Sequence, residues 1–212
     1  MKGITFGSYH SYDDLNLLLV SKEVGSPNVK VKEIDIPGAD GSLDLTDFFG
    51  EAKYENLTHK FQFQTIVPQS NFLSLFSTIK NAIHGKKQRI IFDGDPSFYY
   101  MGRCFVSAFT NEKNIGTISI ECVCEPWKYK LNQTIVSKDV VDTDIIVLTN
   151  SRKRAVPTIT TTASMTIQFG SGSWSVDAGT VLIPELELTE GSNTVTVTGT
   201  GTITFTYQEA GL

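Results

Sequence analysis

Apolar and polar positions alternate with period two along much of the first part of the chain. Val29 and Val31, and after a phase slip Ile34 and Ile36, alternate with Lys30, Lys32, Glu33 and Asp35. Phe61, Phe63 and Thr65 alternate with Lys60, Gln62 and Gln64. Successive side chains of a strand point to opposite sheet faces, so this pattern predicts strands with one buried face. Arg89–Phe92, Tyr99–Phe109 and Gly116–Cys124 read as further strands. Pro37-Gly38, Asp93-Gly94-Asp95-Pro96 and Asn111–Asn114 mark turns between them. One segment changes period. Phe72, Leu75, Phe76, Ile79 and Ile83 recur at three- and four-residue spacing, which places them on one stripe of a helix. Pro68 ends the preceding strand, Ser70 or Asn71 can cap the helix, and Gly85 suits the left-handed residue that stops it. A β-rich α+β domain follows, a sheet or sandwich with one packed helix.

The pattern changes near residue 131. Ser164–Phe169, Ser173–Asp177, Thr180–Leu188, Asn193–Thr198 and Thr202–Tyr207 are short and rich in β-branched residues. Gly170, Gly172, Gly179, Gly191, Gly199 and Gly201 punctuate them. Regular short strands with glycine turns predict a sandwich of two antiparallel sheets, its threonines facing water. Of the 22 aromatic residues only Phe169, Trp174, Phe205 and Tyr207 lie beyond residue 131, so the halves are built differently. We expect two domains, 1–131 and 132–212, in a mainly β protein.

Charge and chemistry narrow the function classes. The 212 residues carry a net charge of −5, which argues against nucleic acid as a tightly held partner. No run approaches the ~18 apolar residues of a membrane span, and Asp13-Asp14 precede Leu17–Val20 where a leader would carry positive charge. Cys104, Cys122 and Cys124 form no zinc-like set and are expected to be buried free thiols in a reducing compartment. His10, His59 and His84 are scattered and read as structural, with His84 as a cation at a helix end. No nucleophile elbow, zinc-protease helix or phosphate loop occurs. The acidic run Asp40–Asp47 fails as a calcium loop, because counting from Asp40 puts Leu45 where the obligatory glycine belongs. Lys86-Lys87-Gln88-Arg89 and Arg152-Lys153-Arg154 are too short and too poor in aromatics for a nucleic-acid groove. Trp174 reads as core. No catalytic residue, metal ligand or cofactor site is expected.

Several segments line up with a known family in order and spacing. His10-Ser11-Tyr12-Asp13-Asp14-Leu15 precedes a strand. Ile36-Pro37-Gly38-Ala39-Asp40-Gly41-Ser42-Leu43-Asp44-Leu45-Thr46 follows one. Tyr54-Glu55-Asn56 comes next, then the helix after Pro68. The half closes on Glu125-Pro126-Trp127-Lys128-Tyr129-Lys130. Gly191-Ser192-Asn193-Thr194 and Thr206-Tyr207-Gln208-Glu209 add to the match. The chain resembles the distal tail proteins (Dit) of long-tailed phages and prophages. His59-Lys60 departs mildly from an arginine common there.

The resemblance implies a tail-tube-like, ring-forming domain over 1–131 and a galectin-like sandwich over 132–212. It implies a homo-hexameric ring at the virion tail tip, made in the host cytoplasm. The ring would join the tail-tube protein to the tail-tip protein and receptor-binding machinery, and genomic DNA would pass through without tight binding. Pro37, Gly38, Asp40, Gly41 and Asp44 then form a subunit-interface loop, and Glu125, Pro126, Trp127 and Tyr129 the family motif. Two alternatives from other classes remain: a carbohydrate-binding adhesion module resting on the sandwich and Trp174, and a hydrolase, which needs paired carboxylates on converging strands.

Overall fold

The structure, a computed structural model, describes residues 3–48, 50–112 and 115–212. It is mainly β with one α-helix among the described residues, and the chain divides into two units that meet in sequence at Trp127 and Lys128.

The first unit contains β1 (Ile4–Phe6), β2 (Tyr9–His10), β3 (Leu17–Glu23), β4 (Glu33–Asp35), β5 (Ser42–Asp44), β6 (Leu57–Thr65), α1 (Phe72–Ile83), β7 (Lys87–Phe92), β8 (Phe98–Glu112) and most of β9 (Ile115–Lys130). Seven of these strands form one sheet in the order β2-β1-β7-β8-β9-β6-β3. In β6 the buried set is Leu57, His59, Phe61 and Phe63, while Lys60 and Gln62 face water, as the alternation predicts. Phe6 lies edge-on to Phe61 and Phe63, with centroids 5.9 and 6.2 Å away. The apolar stripe of α1 closes this core: Phe72, Ile79 and Ile83 are buried, while Leu75 and Phe76 are half-buried.

Three expectations for this unit change. Neither Ser70 nor Asn71 gives α1 a side-chain cap; a short 3₁₀ turn, Gln69–Asn71, leads into it instead. Gly85 is left-handed, with φ 76°, as expected. Cys104 and Cys122 lie on neighbouring strands and are joined as a disulfide, so only Cys124 is a free buried thiol. His84, just past the end of α1, accepts a hydrogen bond from the Val106 amide at Nδ1, 3.1 Å. The alternating residues of 29–36 do not face the core: Val29, Val31, Ile34 and Ile36 are all exposed.

The second unit adds β10 (Thr134–Val140), β11 (Thr143–Asn150), β12 (Thr158–Thr161), β13 (Met165–Phe169), β14 (Gly172–Val176), β15 (Gly179–Leu182), β16 (Gly191–Thr198), β17 (Gly201–Tyr207) and β18 (Ala210–Gly211). Two four-stranded antiparallel sheets, β10-β17-β12-β15 and β11-β16-β13-β14, enclose its core. Val195, Val197, Ile203, Phe205 and Tyr207 point inward. Hydroxyls pair on the outer face, Ser137 with Thr204 at 2.8 Å and Thr160 with Thr180 at 3.0 Å. The strand expected over Thr180–Leu188 stops at Leu182, and Ile183, Leu186 and Leu188 enter the core from a loop. Glu209 fastens the chain end. Its carboxylate accepts hydrogen bonds from Lys130, Thr134 and Ser151, beside the pairing of β18 with Lys128 and Tyr129.

Candidate assembly surface

β4 and β5 form a two-stranded sheet of their own, with Glu33 opposite Asp44, Ile34 opposite Leu43 and Asp35 opposite Ser42. The connection begins with a tight turn. The Ala39 amide bonds the Ile36 carbonyl at 3.1 Å, with Pro37 and Gly38 between them and Gly38 at φ 83°. That is a type II turn, for which proline presets the first central residue and only glycine tolerates the second at little cost. Gly41 is also left-handed, at φ 76°. The interface residues expected from sequence are thereby gathered on one ribbon: Pro37, Gly38, Asp40 and Gly41 at its tip, Asp44 at the end of β5.

Period two splits the ribbon. Ile34, Ile36 and Leu43 share one face at roughly half exposure each, 48, 48 and 49%. Glu33, Asp35 and Asp44 share the other. Among the described residues none of these carboxylates meets a cation. Ser42 donates to Asp35 at 2.7 Å, and the Thr46 amide donates to Asp44 at 2.8 Å. The Thr46 bonds hold the Asp44 carboxyl below the usual range, so it stays ionised opposite Glu33. A lone two-stranded ribbon is marginal in water, and like charges directly opposed weaken it further. A ribbon so built gains from a cover.

The motif at the end of β9 is dispersed. Glu125 accepts from Lys87 at 2.6 Å, and Trp127 lies edge-on to Tyr54 at 5.5 Å, both within the first unit. Pro126 lies past Cys124, where pairing with β6 ends, so its missing N–H leaves no gap in that ladder. Tyr129 is buried in the second unit, with the Lys153 ammonium 4.6 Å from its ring centroid. Arg89 stacks on Tyr99 at 4.7 Å. Trp174 packs on the sandwich core and its ring covers Gly172.

The nearest approach to a catalytic grouping is His10, whose nitrogens reach Asp13 at 2.6 Å and Asp93 at 3.2 Å. The neighbouring Ser11 hydroxyl is buried and accepts the Ile4 amide. Among the described residues no three His, Cys, Asp or Glu side chains are grouped to hold a metal ion. Two shallow depressions of about 280 and 330 Å³ lie on the sheet of the first unit, one beside Lys60 and Glu121, the other beside Lys87 and Glu125.

A β-sheet domain carrying one helix and an exposed ribbon, followed by an all-β sandwich, defines the fold class. No family model and no curated protein sequence matches the chain. Among solved structures it is similar to the SPP1 Dit (gp 19.1) protein, described as a paradigm of the hub adsorption apparatus in Gram-positive-infecting phages. The likeness spans 98% of this chain and 99% of that one, with a TM-score of 0.71 and 15% sequence identity. The chain thus has a Dit-like fold, as the resemblance implied.

Proposed function

We propose that the chain is a structural hub of a phage or prophage tail tip, acting through interfaces rather than catalysis. Six copies close a homo-hexameric ring through the tail-tube-like residues 1–131. The galectin-like residues 132–212 form the second domain. The ring joins the tail-tube protein to the tail-tip protein, with receptor-binding protein attached below, and lets genomic DNA pass. It is made in the host cytoplasm and resides in the virion. The observation that carries this reading is the likeness to SPP1 Dit over essentially the whole of both chains, not over one common β domain. The exposed ribbon with Pro37, Gly38, Asp40, Gly41 and Asp44 supports it, because head-to-tail contacts that repeat about an axis close a ring. Electron microscopy of the concentrated protein tests it. A six-fold ring is expected; a chain that stays monomeric, even on isolated tail tips, overturns it.

A further inference from the structure

The second unit leaves one sheet edge open. An edge strand presents a row of unpaired N–H and C=O groups, and proteins blunt such edges by shortness, a bulge or charge. The other ends of the three larger sheets follow that rule. β2 has two residues, β15 four and β14 five. β3 is bulged between Leu19 and Ser21 and ends in Lys22 and Glu23. β10 carries Lys138 and Asp139. β11 departs from it. It stands at the end of its sheet, runs eight residues, pairs with β16 without a register shift and contains no Lys, Arg or Pro. Its one charge, Asp144, is already paired with Lys138 at 2.6 Å.

The backbone of β11 shows which groups face that edge. The Gly199 amide donates to the Asp142 carbonyl at 2.8 Å. Opposed residues of an antiparallel pair are hydrogen-bonded alternately. Asp144, Ile146, Leu148 and Asn150 therefore bond β16, while Ile145, Val147 and Thr149 turn their amides and carbonyls to the open edge. The Thr149 carbonyl accepts the Tyr207 hydroxyl at 2.6 Å and keeps a second lone pair. The same three residues put their side chains on the outer face, with Ile145 62% and Val147 53% exposed. We propose that β11 of one copy pairs antiparallel with β11 of a second copy, about a two-fold axis at Val147, joining two sheets into one. The strand is complementary to itself in that register. Val147 opposes Val147, Ile145 opposes Thr149, and every edge-facing amide meets an edge-facing carbonyl, which gives roughly six backbone hydrogen bonds. Ile145 and Val147 gain β-branched neighbours across the strands, the pairing that stabilises sheets. Charge agrees. Asp142 and Asp144 open the strand and Arg152, Lys153 and Arg154 follow it, so antiparallel pairing brings the acidic start of each copy beside the basic run of the other. Asp144 itself opposes the neutral Asn150. The contact is isologous and uses nothing from residues 1–131, so it is independent of the ring reading above.

Two measurements test this on the full-length chain. The first is amide hydrogen exchange by NMR on the ¹⁵N-labelled protein, from dilute to concentrated. The amides of Ile146 and Leu148 should be protected throughout. Those of Ile145, Val147 and Thr149 should exchange fast when dilute and slow by at least ~tenfold as copies pair. The second is sedimentation equilibrium of the native chain, Val147→Pro and Val147→Lys. Proline removes the central donor, whose N–H bonds nothing in its own sheet, so the fold tolerates it. Lysine opposes two like charges on the axis. Both variants should keep native thermal midpoints and associate at least ~tenfold more weakly. Association that leaves the three amides unprotected, or that both variants retain, overturns the strand pairing. So does a native chain with no two-fold association at any concentration. A six-fold ring with fast amides at Ile145, Val147 and Thr149 overturns this contact alone and leaves the hub reading standing; protected amides without a ring do the reverse.

Discussion

His59 shows how one side chain sets the pH response of the first unit. It is fully buried among Phe61, Phe92 and Tyr100, its Nδ1 accepts the Gly25 amide at 3.2 Å, and its Nε2 has no partner. Burial holds the imidazole down to about 4, because nothing there solvates a cation. The unfolded chain protonates near 6.5, so the unfolded state gains the proton first as pH falls. Stability is therefore complete above about pH 6.5 and is lost as pH falls toward 4. The shift corresponds to about 2 kcal/mol between pH 7 and 4.5. Urea titrations of the native chain and of His59→Leu at both pH values isolate this contribution from that of the carboxylates. The native chain should lose about 2 kcal/mol more than the variant over that interval; equal losses would mean that His59 is protonated in the fold. Glu209 works in the same direction, in a more acidic window. Burial raises its pKa, but the bonds from Lys130, Thr134 and Ser151, with the Lys130 charge, outweigh that and lower it. Its contribution is present above the ordinary glutamate range and is lost as pH falls below it. No periodicity points to either group. The donors to Glu209 lie 58 to 79 residues away and meet it only once the strands pair.

At the scale of elements, α1 is the clearest case of pattern giving structure, and its positions differ in what they contribute. Ile79 has no exposure and Phe76 is half-buried. Ile79→Ala should cost about 3 kcal/mol in a denaturant titration, whereas Phe76→Ala should cost about half of that, because truncation removes buried contacts on one ring face only. Equal costs would place Phe76 in the closed core. The strands β6 to β9 were legible for the same reason as the helix: their buried faces follow the backbone period. The first strand of the ribbon was legible as strand but not as exposed, and the second, Ser42–Asp44, lay in what read as a loop. Burial against the chain's own core and burial against a partner impose one and the same alternation, so Ile34 and Ile36 read as core although they face outward. β10 and β11 were harder still. Ile135, Ile145 and Val147 put apolar side chains on the outside and break the contrast on which the reading depends. The disulfide escaped for another reason. Bringing Cys104 to Cys122 depends on how β8 and β9 align, and composition does not encode that alignment.

For the whole molecule, the division into an aromatic, helix-bearing half and a threonine-rich half could be seen in composition, and each half builds its own core. The Dit-like fold was legible only through the ordered motifs. Of these the ribbon segment stays together in space, whereas Glu125, Trp127 and Tyr129 find unrelated partners. Charge carries the last prediction. A hub that passes DNA must not hold it, and each phosphate neutralised by Lys or Arg releases counterions and adds affinity as salt falls. A net charge of −5 per chain gives about −30 for the proposed hexamer, which repels a polyanion at long range. The strongest basic run in the first half is also engaged already: Lys87 is paired with Glu125 and Arg89 is stacked on Tyr99. We therefore expect Lys86, Lys87 and Arg89 to face a neighbour or solvent rather than the channel. In filter binding to double-stranded DNA, the assembled protein should show a Kd weaker than ~10⁻⁴ M at physiological salt, below the ordinary non-specific range. It should show only shallow strengthening as salt is lowered. Changing Lys86, Lys87 and Arg89 together to Gln should leave that curve unmoved. Tight low-salt binding that disappears in the triple variant would place these cations on the DNA path and reverse the proposed orientation.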